Sequence, residues 1–274
     1  MNTEEYYSNQ TVLNKMLPYL QNREVAFLQK IGTGYSFRNI KVTNAMHLKT
    51  HLVHFQIDKY PYKIYNSTAI LKEMPVFSYN IPKRKEQSQE FHENFMNYIY
   101  SYDMVLDIDN NGDFKQCHEQ TQRIIDCLEE EKICYYIKFS GSGFNLVIPH
   151  QHLGLAKQTE MQERFLKIAQ AIQEIVDASL LDTTIYLMRE VTKSLFSLDT
   201  TNDTVCMPLT KKEFQNFTHE IVEPQRMFEQ DILKKEVTLN NKDTYNCLQK
   251  LEEYCGITTQ ENQEEDSQQD LSVI

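Results

Sequence analysis

The sequence predicts an α/β (α+β) protein, and three observations carry that prediction. At 274 residues it is long enough for one large domain, or two small ones, with a proper core. Short β-rich runs alternate with stretches of helical periodicity. From 103 to 209 the order reads strand, helix, strand, strand, helix, strand, the split βαβ, ferredoxin-like arrangement whose sheet leaves one face open.

The N-terminal portion, 1–90, is taken first. Residues 3–21 read as an amphipathic helix that Pro18 interrupts or ends. Arg23 to Leu28 is a strand, Ile31-Gly32-Thr33-Gly34-Tyr35 a turn, and Ser36 to Ile40 extended again. The Gly-x-Gly is no dinucleotide fingerprint, because the third glycine and the following helix are missing. Thr43 or Asn44 caps a helix running to Leu52, and Val53 to Ile57 reads as a strand. His47, His51 and His54 lie close together, but no acid shares their turn, so they are read as ordinary histidines. Lys83-Arg84-Lys85 opens a polar loop and marks a boundary near Glu90.

The next portion, 91–225, begins with a helix at Phe91 and continues into the strand Asp103 to Asp109. The turn Asn110 to Asp113 leads to a helix at 116–132 with Ile124, Ile125 and Leu128 inward. Cys134 to Phe139 is a strand, Ser140-Gly141-Ser142-Gly143 a hairpin, and Phe144 to Ile148 the strand that Pro149 stops. Thr159 and Gln162 form a capping box for a helix ending near Leu180. Leu195 to Leu209 is extended. A helical segment at 226–256 follows, its helix spanning roughly 228–254, and the acidic, Gln-rich tail 257–274 holds too few apolar residues to fold.

No basic head joins an apolar run and no segment approaches a bilayer-spanning length, so an intracellular, cytoplasmic protein without membrane contact is expected. The six cysteines include no C-x-x-C pair, and Cys117 beside His118 is the best remnant of a zinc site. The net charge of −11 argues against nucleic acid at first sight. Seven of those charges lie in 251–274, which holds no Lys or Arg, so the remainder carries only −4. Such a body can still hold a basic groove.

Chemistry concentrates on the 103–109 strand. Side chains alternate along a strand, so Met104, Leu106 and Ile108 face one way while Asp107 and Asp109 face the other, about 6.5–7 Å apart. Two carboxylates on a rigid strand are costly unless a cation neutralises them, and hard oxygen ligands suit Mg²⁺ or Mn²⁺. The small residues of Ser140–Gly143 let backbone N–H groups approach a phosphate, with Lys138 just before them. Asp182 after the long helix can bring a third acid, and Arg189 suits a bidentate phosphate contact.

The order and spacing of these features identify a resemblance. An hhhDhD strand, then F-S-G-x-G-F-x-h-x-h-P over 139–149, then Asp182, then R-x(7)-S-L from Arg189 and V-x-x-P-L from Val205 resembles the archaeo-eukaryotic primase superfamily. The match is to the catalytic small subunit of DNA primase and its primase-polymerase relatives, over about residues 20–215. Arg23-Glu24 opening a strand and Arg38 after an aromatic residue add to it.

The resemblance implies a primase catalytic-core fold with an RRM-like module at 91–225, and synthesis or extension of short primers on a single-stranded DNA template. It implies that Asp107, Asp109 and Asp182 hold two Mg²⁺ or Mn²⁺ ions, the two-metal displacement. Ser140, Gly141, Ser142 and Gly143 would then face the incoming nucleoside triphosphate, with Lys138, Asn145, Arg189 and Ser197 as further nucleotide-binding residues. A primase large subunit or a helicase is the implied partner. The acidic tail would dock on a basic partner surface or stay out of the groove.

Two positions depart from the family, which has His where this chain has Asn145 and again where it has Asp199. Asn cannot carry charge and an ionised Asp cannot donate, so a non-catalytic nucleotide-binding or scaffold subunit is the competing reading. A third reading is a calcium loop over 107–118, with Gly112 at its sixth position. Its twelfth residue is His118, where calcium geometry wants a bidentate Glu.

Overall fold

The computed structural model describes residues 3–29, 35–54, 56, 62–73, 89–154, 159–229, 232 and 234–257. The helices are α1 (Thr3–Ser8), α2 (Gln10–Leu20), α3 (Ala45–His54), α4 (Gln89–Met96), α5 (Phe114–Glu130), α6 (His150–Leu153), α7 (Met161–Ile175), α8 (Lys211–Gln215) and α9 (Cys247–Tyr254). The strands are β1 (Val25–Gln29), β2 (Tyr35–Ile40), β3 (Tyr62–Ser67), β4 (Ala69–Leu71), β5 (Ile99–Tyr102), β6 (Met104–Ile108), β7 (Tyr136–Phe139), β8 (Phe144–Ile148), β9 (Val191–Lys193), β10 (Leu198–Asp199), β11 (Thr204–Val205) and β12 (Met207–Leu209).

Two four-stranded antiparallel sheets organise these elements, ordered β2-β1-β3-β9 and β12-β7-β8-β6. The pairs β4–β5 and β10–β11 lie beside them. The mixed α/β class therefore holds, while the expected strand order needs correction. In a ferredoxin-like sheet the last strand returns beside the first. Here β12 joins the opposite edge, pairing with β7, and β9 pairs with β3 in the other sheet. The free edge of β6 is instead covered by Leu180–Asp182, which makes one antiparallel bridge, Leu181 to Ile108.

Several local expectations also change. The N-terminal helix breaks at Asn9, whose side chain accepts from the Thr11 and Val12 N–H groups, and Pro18 is carried in the last turn of α2. Val53 and His54 complete α3, Phe55 and Ile57 of the strand expected there lie outside the described residues, and β3 is described from Tyr62. The Thr159–Gln162 capping box does not form: α7 starts after Glu160 with no side-chain cap. The capping box present is Thr210 with Glu213, on α8. Among the described residues of the long C-terminal helix, Ile232 and Cys247–Tyr254 are α-helical. Upstream of α9, Asn240 exchanges backbone hydrogen bonds with Tyr135, which diverts the chain along β7. Residues 30–34, the Lys83–Lys85 triplet and 258–274 lie outside the described residues.

The core is continuous beneath both sheets. Leu106, Ile108, Ile137, Phe139, Phe144 and Leu146 are buried with Ile124, Ile125 and Leu128 of α5. Tyr6 and Tyr7 of α1 reach across to donate to the Phe196 carbonyl at 2.9 Å and to contact the Ser197 hydroxyl at 3.4 Å. Apolar burial of this kind contributes roughly 25 cal/mol per Å² and fixes which sheet faces remain for polar work. Among the described residues no helix is long and apolar enough to cross a membrane.

Candidate active site

The register across the second sheet builds the site. Asp107 pairs with Asn145, Asn145 with Lys138, and Lys138 with Pro208. On the other side of β6 the Asp182 N–H donates to the Asp107 carbonyl at 2.8 Å, and the Asp109 N–H donates to the Leu180 carbonyl at 3.0 Å. Directly opposed residues of a sheet share a face. Asp182, Asp107, Asn145 and Lys138 therefore form one row, with Asp109 two residues beyond Asp107 on the same face.

The charge in that row is unbalanced. Loss of solvent around Asp107, then the proximity of Asp109 and Asp182, raises its carboxyl to about 7, against the opposing pull of Lys138 and the Asn145 amide. Asp109 is raised as well, first by burial and then by Asp182. The Asn145 Nδ2 donates to Asp107 Oδ1 at 2.5 Å, while its own carbonyl is buried without a protein partner. Asp182 Oδ1 accepts from the Thr184 N–H at 2.8 Å. Each of these bonds uses one oxygen of its carboxylate. Among the described residues no three His, Cys, Asp or Glu side chains are gathered closely enough to grip an ion.

The hairpin joins β7 to β8 just beyond the row, over the end of β6. Ser140 N–H donates to the Gly143 carbonyl at 2.9 Å and Gly143 N–H to the Ser140 hydroxyl at 3.2 Å. Ser142 is exposed at the tip. A Cβ on Gly143 would collide with the Ile108 carbonyl, so the turn can lie on the end of β6 only as glycine. Gly141 has φ +103°, and a Cβ there would sit 2.6 Å from Lys193 Nζ.

That lysine belongs to a cluster invisible in the local sequence. Lys193 forms an ion pair with Asp199, and Lys63 Nζ lies 2.6 Å from the other oxygen of the same carboxylate. Lys63, Lys193 and Asp199 are all buried. Burial would raise the Asp199 carboxyl, but Lys193 and Lys63 hold it below the usual range. The acid that stands where the family has His is thus neutralised twice over. Lys138, also buried, donates to Thr192 Oγ1 at 2.7 Å and to the Lys193 carbonyl at 2.9 Å, tying the two sheets together. A cavity of about 20 Å³, enough for one water molecule, lies between the sheets beside Lys138, Arg23, Asp103 and Thr192.

Two predicted residues, Arg189 and Ser197, stand apart from the acids, as does Arg23 of the N-terminal resemblance. Arg189 makes a bidentate pair with buried Glu24, at 2.5 and 3.2 Å, and stacks over Phe95. Ser197 is fully buried, and its hydroxyl accepts from the Ile64 N–H at 2.9 Å. Arg23 pairs with Asp103 at 2.5 Å and donates to the Ser67 carbonyl at 2.8 Å. The calcium-loop residues are spent otherwise: Asp113 caps α5 by accepting from Gln116 N–H. His118 stacks on Phe214 and bonds its carbonyl. Cys117 points instead to the Ile108 carbonyl, away from any shared zinc position with His118.

No family model and no curated protein matches the chain. Among solved structures, the polymerase domain of Mycobacterium tuberculosis ligase D, in complex with DNA, is similar with a TM-score of 0.53 at 14% identity, over 83% of this chain and 88% of that one. The catalytic domain of primase Repb', in complex with initiator DNA, aligns with a TM-score of 0.40 at 9% identity, over 83% of this chain and 100% of that one. At such identity the likeness is one of fold, and the fold is shared with the ligase D polymerase domain.

Proposed function

We propose that this protein is a primase-polymerase type nucleotidyltransferase that makes or extends short primers on single-stranded DNA. The observation that carries the reading is the Asp182–Asp107 backbone hydrogen bond. It brings an acid from beyond α7 into register with the two acids of β6, beside a Ser-Gly hairpin and buried lysines.

Asp107, Asp109 and Asp182 match a divalent-cation site in the chemistry of their donors, though not in the closeness of their side chains. They are hard oxygen donors on one face, and two of them are held above the normal carboxyl range by burial and one another. Two Mg²⁺ or Mn²⁺ ions bound there would supply charge neutralisation at the triphosphate and acidify the primer 3′-hydroxyl. The chain's own residues do the rest. Asn145 orients Asp107 through its amide. Ser140 and Gly143 spend their N–H groups inside the turn, which leaves the Gly141 and Ser142 amides as donors to an anion. Lys63 and Lys193, held beside Gly141 by Asp199, supply the positive charge that Arg189, engaged with Glu24, does not.

The experiment is incorporation of labelled nucleotides on a primed homopolymer template with Mg²⁺ or Mn²⁺, for the intact chain and for Asp107→Ala and Asp109→Ala. Extension by the intact chain and its loss in both folded variants support the reading. Absence of product with either metal and either sugar refutes it. The engagement of Arg189 and the replacement of both family histidines favour a second reading, a nucleotide-binding subunit without catalysis. Metal-dependent triphosphate binding with no product would select it. A single-stranded DNA template is proposed as the nucleic-acid partner, with a large subunit or helicase as its protein partner.

A further inference from the structure

The third acid stands on a segment with little structure of its own. Leu180–Asp182 follows α7 as a turn, makes a single bridge to β6, and then leaves for the other sheet. One rung of antiparallel pairing cannot hold a strand in register by itself. Two glutamine side chains hold the backbone next to it. Gln120, buried on α5, accepts from the Leu180 N–H at 2.7 Å through Oε1 and donates to Ser179 Oγ at 3.1 Å through Nε2. Gln173, near the end of α7, donates to the Leu181 carbonyl at 2.8 Å. A primary amide presents the same donor and acceptor as a peptide group, so these side chains occupy backbone groups that a longer strand would pair. The Leu181 N–H closes the turn on the Ala178 carbonyl at 3.0 Å.

From these contacts we infer that Gln120 is a positioning residue for the candidate site: its amide sets the register that places Asp182 opposite Asp107, with Gln173 securing the far side. The inference rests on the nucleotidyltransferase reading for its consequence, because what Gln120 would govern is the affinity of the acid row for a divalent cation. Gln120 touches neither the cation nor the nucleotide. Partners one step behind metal ligands typically change metal affinity by about 10–100-fold when lost.

The test compares Gln120→Met, which keeps the volume and removes both amide bonds, with Ile124→Val, which loosens the same helix by an ordinary packing defect. Two quantities are read on the full chain. Manganese binding is followed by the loss of the free Mn²⁺ electron paramagnetic resonance signal, and backbone hydrogen exchange is followed at Asp109 and Asp182. Mn²⁺ affinity about tenfold weaker in Gln120→Met, with both amides exchanging faster and Ile124→Val unchanged in both, supports the inference. Gln173→Met should move the same amides in the same direction. Wild-type affinity and wild-type protection in Gln120→Met overturn the inference while leaving the proposed function intact. A wild-type chain that binds no Mn²⁺ overturns the metal-dependent function itself, and exchange at the two amides then decides the positioning role alone.

Discussion

Replacing Asp199 by His puts the residue usual in the primase superfamily into this chain, and the expected result is a less stable protein with no gain in activity. Asp199 is 2% exposed at its side chain and is the shared counter-ion of Lys63, 11% exposed, and Lys193, 9% exposed. Removing one partner of a buried ion pair costs about 3–5 kcal/mol, because the remaining charge stays desolvated without compensation. Here two ammonium groups lose a shared carboxylate together, so Asp199→His and Asp199→Asn are expected within that range. A typical domain has about 5–15 kcal/mol in total, so the loss is a large fraction of stability. Asn keeps the acceptor for the Thr201 N–H, which Asp199 now holds at 2.9 Å, and so isolates the charge from that hydrogen bond. Urea denaturation at pH 7 gives the midpoint and slope for each variant. Combining Asp199→Asn with Lys63→Met and Lys193→Met should restore much of the lost stability, since the two buried ammonium charges go as well. A loss below about 1 kcal/mol for Asp199→Asn would refute the claim that this carboxylate neutralises both lysines.

The other predictions concern separate parts of the molecule. Gly143→Ala should cost about 1–3 kcal/mol and lift the hairpin off β6, because the added methyl meets the backbone carbonyl of Ile108. Gly112→Ala, with φ +98° and no heavy atom within 4 Å, should cost about 1 kcal/mol from backbone strain alone, and thermal denaturation of the two compares them. Arg189→Met should remove the bidentate partner of the buried Glu24 carboxylate and lower stability by about 1–3 kcal/mol, with the nucleotide KM unchanged in steady-state extension assays. Burial would raise Asp103, but Arg23 and His150 hold it down to about 2, from an unperturbed 3.8. Its stabilisation is therefore complete above about pH 4 and is lost as the pH falls from about 4 to about 2. Asp103→Asn should flatten that limb of the stability profile in an acid titration followed by circular dichroism.

What could be read from the sequence divides by range. Strand alternation in Met104–Ile108 and the glycines at 141 and 143 are local signals, and the acid row and hairpin follow from them. Asp182 was legible as a candidate through its place in the motif order, but its pairing with Asp107 depends on Gln120, which no spacing rule connects to the turn at 179–180. Lys63 was missed because it reaches Asp199 from β3, far away in the chain, and Lys193 because no spacing rule shows that the chain turns back between β9 and β10 to bring it onto Asp199 six residues later. The one available signal was a lysine inside each of two otherwise apolar or polar-neutral strands. Arg189 and Ser197 were legible only through the resemblance, which could not show that Glu24 and the Ile64 N–H already engage them. The strand order failed for a similar reason: one bridge at Leu181 occupies an edge that the pattern reserved for a full strand. At Pro18 and Thr159, a strong local rule drew attention from the cap that actually formed or failed to form.

The run from Asp182 to Lys193 leaves the edge of one sheet and enters the other, so a single short stretch supplies a carboxylate to the acid row and an ammonium to the Asp199 cluster. Its far end is pinned, because Lys138 on β7 bonds Thr192 and the Lys193 carbonyl, so a change in the length of the run falls first on the Asp182 end, where a single bridge holds it. The third acid is therefore the member of the row most exposed to insertion or deletion in this stretch.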